Sequence, residues 1–156
     1  MTNNIEDNYV KILFRFHSDI FDEEIVETMW AEIVDGSKGL YKLDNIPFYV
    51  PSVASDDIVF AEFDEAEESL CYRSRVKFSE NSTIQVVLMD DTKNVNLIRD
   101  SFGELGCISE KINGSYFSME IPADVNYKSI KLILDDLKQK EIIDYAESCL
   151  SDKHRL

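Results

Sequence analysis

Between Tyr9 and Phe16 the chain alternates cleanly, with Val10, Ile12, Phe14 and Phe16 on one side and Lys11 and Arg15 on the other, which predicts a half-buried strand. Ile25, Val26, Met29 and Trp30 briefly fit a helical spacing, but Glu27 to Val34 also alternates, and the strand reading places Trp30 in a second strand. Asp35-Gly36-Ser37-Lys38-Gly39 is a turn, because glycine supplies the positive φ of tight corners and Asp or Ser bonds the nearby backbone. Leu40 to Leu43 follows as a strand and runs into Asp44-Asn45-Ile46-Pro47-Phe48. Pro47 has no amide hydrogen and biases Ile46 to extended geometry, so the chain bends there. Phe48, Val50 and Val53 are expected to turn back to apolar cover. Asp57 to Phe63 reads as a further strand with Ile58, Phe60 and the edge of Glu62 on one face, and Leu70 to Phe78 alternates again. This many short strands with Gly and Pro corners suit a small barrel, SH3-like or half-open, better than an open sheet, since closure removes exposed strand edges.

After Ser79-Glu80-Asn81-Ser82 the texture changes. Thr83 to Met89 is a nearly continuous apolar run, the pattern of a central strand covered on both faces. Val95, Ile98, Phe102 and Leu105 recur at helical spacing, with Gly106 as the stop. Cys107 to Lys111 is a strand, Asn113-Gly114 predicts a type I′ hairpin turn, Ser115 to Ile121 returns, and Pro122 ends it. Asn126 to Lys140 carries Ile130, Leu132, Ile133, Leu134 and Leu137 on a second helix capped by Asp124 or Asn126, and Ile142 to Leu150 closes as a strand. The order strand, helix, strand, strand, helix, strand is the ferredoxin-like split βαβ plan. The expected fold is therefore α+β, with a β-barrel subdomain over 9–80, a ferredoxin-like subdomain over 81–150, and flexible tails at 1–8 and 151–156.

Composition changes this picture little, but charge does. In 156 residues, 44% hydrophobic, 31 acids face 16 bases for a net charge of −15, so the chain is globular rather than disordered. Its field repels nucleic acid and anionic lipid and attracts basic proteins. No run approaches the length of a membrane span, and the first residues lack the basic and apolar character of a signal peptide, so a cytoplasmic protein is expected. Cys71, Cys107 and Cys149 are widely spaced and outside any Cys-x-x-Cys pattern, which signals neither a disulfide framework nor zinc. The only histidines are His17, beside Ser18-Asp19, and His154, in the expected tail; neither is set up as the base for a nucleophile. Asp90-Asp91-Thr92-Lys93-Asn94 carries oxygen ligands but reads equally as a helix start. No enzyme activity, cofactor or metal is expected.

The residues Trp30-Ala31-Glu32, Tyr41-Lys42-Leu43-Asp44-Asn45-Ile46-Pro47-Phe48 and Ser82-Thr83-Ile84-Gln85-Val86-Val87-Leu88 together resemble a bacterial family known as domain of unknown function 4265, a likeness that covers most of the chain. The resemblance implies a fold rather than a chemistry. Size and acidity are similar to those of immunity proteins, which shield a cell from a neighbour's toxin. The stretch Ser55 to Glu68 holds seven acids and no base. Within it Asp56, Asp57, Glu62, Asp64, Glu65, Glu67 and Glu68 are the expected docking residues for a cationic partner such as a toxin domain, with rim carboxylates setting the association rate; Asp22-Glu23-Glu24 can extend the patch. A small-molecule-sensing module and an acidic DNA mimic are the alternatives.

Overall fold

The computed structural model describes residues 8–18 and 22–155. Nine strands and two helices follow in the order β1 (Tyr9–Ser18), β2 (Glu23–Asp35), β3 (Leu40–Leu43), β4 (Ile58–Asp64), β5 (Ser69–Lys77), β6 (Ser82–Leu88), α1 (Val95–Gly103), β7 (Ile108–Asn113), β8 (Tyr116–Ile121), α2 (Tyr127–Gln139) and β9 (Ile143–Cys149). The fold is α+β, and its strands form a closed barrel, β1-β2-β3-β4-β5, and a four-stranded sheet of order β7-β8-β6-β9. The chain parts into two compact units, Met1–Asn45 with Ser55–Ser79, and Ile46–Ala54 with Glu80–Leu156.

In the first unit β1 and β2 pair over their full alternating length, from Tyr9↔Glu32 to Ser18↔Glu23. The period-2 pattern sends Ile12, Phe14, Met29 and Ala31 inward, each at most 2% exposed. Trp30 lies on the outer face, 46% exposed, with the Lys11 ammonium 5.0 Å from its ring centre. The corner before β3 is a short 3-10 turn over Gly36–Lys38, capped by Asp35 and closed by Gly39 at φ +71. Glycine is required there, because a Cβ would lie 2.8 Å from the Ala61 carbonyl oxygen as well as in the left-handed region. Parallel pairing of Ile12 with Leu70 and Leu13 with Cys71 closes the barrel, and the Phe14 and Tyr72 rings stack at 4.7 Å across the same seam.

Strand β4 keeps Ile58 and Phe60 on one face, half-buried, and puts Val59 and Ala61 on the other, buried. Its pairing with β5 shifts at Ile58/Val59 and Phe60/Ala61, the extra residues lying in β5, and the Phe60 ring lies against Gly39. The small Ala61 takes the inward position.

The Asn45-Ile46-Pro47-Phe48 corner also serves an end other than shaping the barrel. Asn45 finishes the β2 ladder with its side chain, its Oδ1 accepting from the Trp30 amide at 2.6 Å. From Ile46 the chain belongs to the second unit, where residues 46–54 lie on one face of the four-stranded sheet. Sheet side chains donate to their carbonyls: Ser118 Oγ to Pro47 at 2.5 Å, Tyr116 Oη to Phe48 at 2.5 Å, Gln85 Nε2 to Phe48 at 3.2 Å and Thr83 Oγ1 to Val53 at 3.2 Å. Tyr49 stacks on Tyr116 at 5.5 Å. Backbone carbonyls thus find donors on a sheet face whose polar residues would otherwise need water.

The opposite face carries the core of the second unit. Ile84 and Val86 of β6, Phe117, Met119 and Ile121 of β8, Phe102 of α1, and Ile130 and Leu134 of α2 are at most 1% exposed. Both helices begin at asparagine caps, Asn94 and Asn126, whose side chains accept from the amide two residues on. The Asn113-Gly114 hairpin sits where predicted, but not as type I′: φ is positive at neither Gly114 nor Ser115. Asn113 Oδ1 instead accepts from the Ser115 amide at 2.8 Å, an Asx turn. The segment expected as a flexible tail is likewise ordered through Arg155. Asp152–His154 forms a 3-10 turn and His154 is 2% exposed. Residues 1–7 and 156 of the expected tails lie outside the described residues.

Candidate functional site: an acidic hairpin on the barrel

The β4–β5 hairpin turns at Glu65–Glu68. Asp64 Oδ1 accepts from the Ala66 and Glu67 amides at 2.9 and 3.2 Å, and Glu68 closes the turn at φ +54. Strand pairing brings cations to this turn from elsewhere in the chain. Arg73, on β5, reaches back to Glu62 at 3.5 Å and Asp64 at 3.3 Å. Arg15, on β1, reaches Glu67 at 2.8 Å and Glu24 at 3.4 Å. Arg15, Arg73, Asp64 and Glu67, with Leu13, Cys71 and Tyr72, line a cleft of about 290 Å³. The Glu67 amide, and then Arg73, hold the Asp64 carboxyl below its ordinary range, and Glu67 raises Arg15 above its own.

The seven expected docking residues therefore separate. Asp57 is not a surface group: it is 1% exposed, its Oδ2 3.1 Å from Arg75 Nη1 and its Oδ1 accepting from the Ser79 amide at 2.8 Å. It clamps the start of β4 to the end of β5, with the Arg75 guanidinium stacked 3.7 Å from the Phe78 ring centre. Asp56 sits at φ +67, 4.0 Å from Lys42. Glu62, Asp64 and Glu67 are brought together around the two arginines, and Glu65 and Glu68 stand exposed on the turn. Counting Glu24, six carboxylates surround two guanidiniums, leaving four negative charges on this face. Phe63, between Glu62 and Asp64 in the chain and paired with Leu70, is 63% exposed.

Sequence reasoning missed Arg15 and Arg73 because they are remote from the acidic run. Their signal was available as outward positions in alternating strands.

A second polar cluster was missed altogether. Tyr127, Lys131 and Asp135 recur at intervals of four residues along α2 and face Tyr145 and Glu147 of β9. Tyr127 Oη donates to Glu147 at 2.6 Å, Lys131 Nζ lies 3.2 Å from Glu147 and 3.3 Å from Tyr145 Oη, and Tyr145 Oη donates to Asp135. Burial and then Glu147 push the Tyr127 hydroxyl far above its ordinary pKa. Burial alone would lower Lys131, but bonds to Tyr145 and Glu147 outweigh it and raise it. Beside them His154 Nε2 donates to the Pro122 carbonyl at 3.0 Å, which leaves Nδ1 to accept from Ser82 Oγ at 2.6 Å. Burial lowers its pKa.

The three cysteines are buried free thiols; burial pushes Cys71 up and Cys107 up to about 11, away from the thiolate that reactivity needs. His17 is exposed, with Nε2 3.2 Å from Asp22 Oδ1. Asp90 Oδ1 accepts from the Thr92 amide and hydroxyl, closing a turn before α1. Among the described residues no cluster of three or more His, Cys, Asp or Glu forms a metal-binding set, and no helix is long and apolar enough to cross a membrane.

Comparison with known families places this geometry. The model of a domain of unknown function, DUF4265, matches residues 27–145. The chain belongs to the DUF4265 family. That span of the family includes β3, the acidic hairpin and both helices. A crystal structure of a hypothetical protein from Neisseria gonorrhoeae is similar to this DUF4265 chain with a TM-score of 0.79 and 25% identity, over 91% of this chain and 95% of that one. No functionally curated protein matches.

Proposed function

We propose that this DUF4265 protein is a non-enzymatic, immunity-type binding protein that occludes a basic toxin domain in the bacterial cytoplasm. The observation that carries the reading is the β4–β5 hairpin: Glu65 and Glu68 stand exposed on its turn, and Phe63, next to Glu62 and Asp64 in the chain, is 63% exposed at its end. An exposed aromatic residue on a carboxylate-rich hairpin is the arrangement in which charge speeds encounter and the buried ring sets residence time. Glu65 and Glu68 are the steering charges, and Asp64 with Glu67 the paired ones that hold the turn in shape. Five consecutive strands closed by β1 on β5 further support reading the barrel as a variant of the SH3-like plan.

The test asks first whether a basic secreted domain is encoded beside this gene, and then follows binding to that domain by biolayer interferometry. Glu65→Lys with Glu68→Lys is expected to slow association by about tenfold at low salt and far less at high salt. Phe63→Ala is expected to speed dissociation, with a loss of about 2 kcal/mol for a central anchor. Binding that ignores both substitutions rejects the hairpin as the docking surface.

A further inference from the structure

The second unit holds a cavity of about 300 Å³ lined by Tyr127, Lys131, Glu147, Leu150, His154 and Arg155. Its chemistry runs against the rest of the chain. In a protein of net charge −15, the lining carries two cations, Lys131 and Arg155, and one carboxylate, Glu147. The carboxylate is engaged within the wall: its Oε2 takes both the Tyr127 hydroxyl and the Lys131 ammonium. An ammonium has three hydrogens and Lys131 directs two of them to Glu147 and Tyr145. A guanidinium has five, and Arg155 is paired with Asp152 through Nε at 2.9 Å. Beyond these pairings one ammonium hydrogen and four guanidinium hydrogens remain at this mouth, where Asp152 balances the charge of Arg155, while the Tyr127 ring and Leu150 supply apolar wall.

We infer that this cavity is a binding site for a small organic oxyanion, a carboxylate or phosphate monoester on a short apolar or aromatic stem. The Arg155 fork and the remaining Lys131 hydrogen hold the oxygens, since a planar guanidinium matches two oxygens of either head group. The stem lies against Tyr127 and Leu150. His154, in the cavity wall with both ring nitrogens bonded to protein, is a positioning residue that fixes Ser82 and the 3-10 turn carrying Arg155. The site is independent of the barrel hairpin, so its failure leaves the proposed function standing, and the reverse.

The experiment uses the full chain with phenyl phosphate, benzoate and inorganic phosphate as probes, and sodium chloride at matched ionic strength as the control. Thermal shift and calorimetry are expected to show saturable binding of phenyl phosphate or benzoate, each tighter than inorganic phosphate, with no effect of chloride. Which of the two wins identifies the head group. Arg155→Gln removes an exposed side chain and leaves the core intact; it is expected to weaken binding about tenfold, with Arg155→Lys recovering part of it. The His154 ring resonances are expected to move on titration. Equal shifts with chloride, unsaturable responses to all three probes, or an Arg155→Gln protein that binds as tightly as the parent overturns the inference.

Discussion

Asp57 separates a docking residue from a structural one, and the separation is measurable. Its carboxylate is 1% exposed and holds Arg75 at 3.1 Å and the Ser79 amide at 2.8 Å. Asp57→Ala removes both bonds at once. Breaking a fully buried pair costs about 3–5 kcal/mol. Arg75 keeps 21% side-chain exposure, so water takes back part of its charge, and the expected total is about 3 kcal/mol. Asp57→Asn keeps the shape and an acceptor for Ser79 but loses the charge, which reduces the expected cost to about 1–2 kcal/mol. Trp30, the sole tryptophan, reports from the same unit, so urea unfolding followed by its fluorescence reads the barrel directly. With a slope of about 1.5 kcal/mol/M, the alanine variant is expected to move the midpoint down by about 2 M. A shift under about 0.3 M, or an alanine variant no worse than asparagine, refutes the clamp and returns Asp57 to the list of surface acids.

Four further outcomes follow from the geometry. Gly39→Ala places a Cβ 2.8 Å from the Ala61 oxygen at φ +71 and is expected to cost about 2 kcal/mol by chemical denaturation, whereas Gly114→Ala, with nothing within 4 Å and no positive φ, is expected to be neutral or stabilising by about 0.5 kcal/mol. Phe102→Ala empties a site at 0% exposure in the α1 core and is expected to cost about 3–5 kcal/mol, read from circular dichroism melts. His154 is held neutral, with its pKa below the unfolded value; the unfolded chain then binds the extra proton first, so this contribution is complete above about pH 6.5 and is lost as pH falls from there towards the folded pKa. Urea midpoints between about pH 7.5 and 5.5 are expected to fall in the parent and to flatten in His154→Gln.

Much of this fold was legible because strand alternation and helical spacing are local. The βαββαβ order, the asparagine caps and the Gly39 corner all rest on residues a few positions apart. Pairings over longer distances were hidden. The donors that receive residues 46–54 are Thr83, Gln85, Tyr116 and Ser118, so the Pro47 corner read as barrel shaping although its carbonyls bond the other unit's sheet. Strand β4 turns the small Val59 and Ala61 inward and leaves the larger Ile58 and Phe60 half-buried, so side-chain size alone does not tell which face of a strand is the buried one. His154 looked like tail because its anchor, Ser82, is distant in sequence. Asp57 looked exposed inside a charged run, and only its arginine, eighteen residues away, gives it reason to be buried.

The cations, rather than the acids, locate the chemistry of this protein. With 31 acids in the chain, proximity of carboxylates carries little information, whereas each of the 16 bases has many partners to choose from. Arg75 selects a buried aspartate and a phenyl ring, which makes a strut. Arg73 straddles Glu62 and Asp64 of the hairpin, and Arg15 ties Glu67 of its turn to Glu24 of β2, which fixes the turn yet leaves its face negative. Lys131 and Arg155 line a cavity with one carboxylate, Glu147, and Arg155 pairs with Asp152 at its edge. The ligands proposed for the two sites are of opposite sign, a basic protein at the barrel and a small oxyanion at the sheet unit, and salt should weaken both while charge reversal at either leaves the other unchanged.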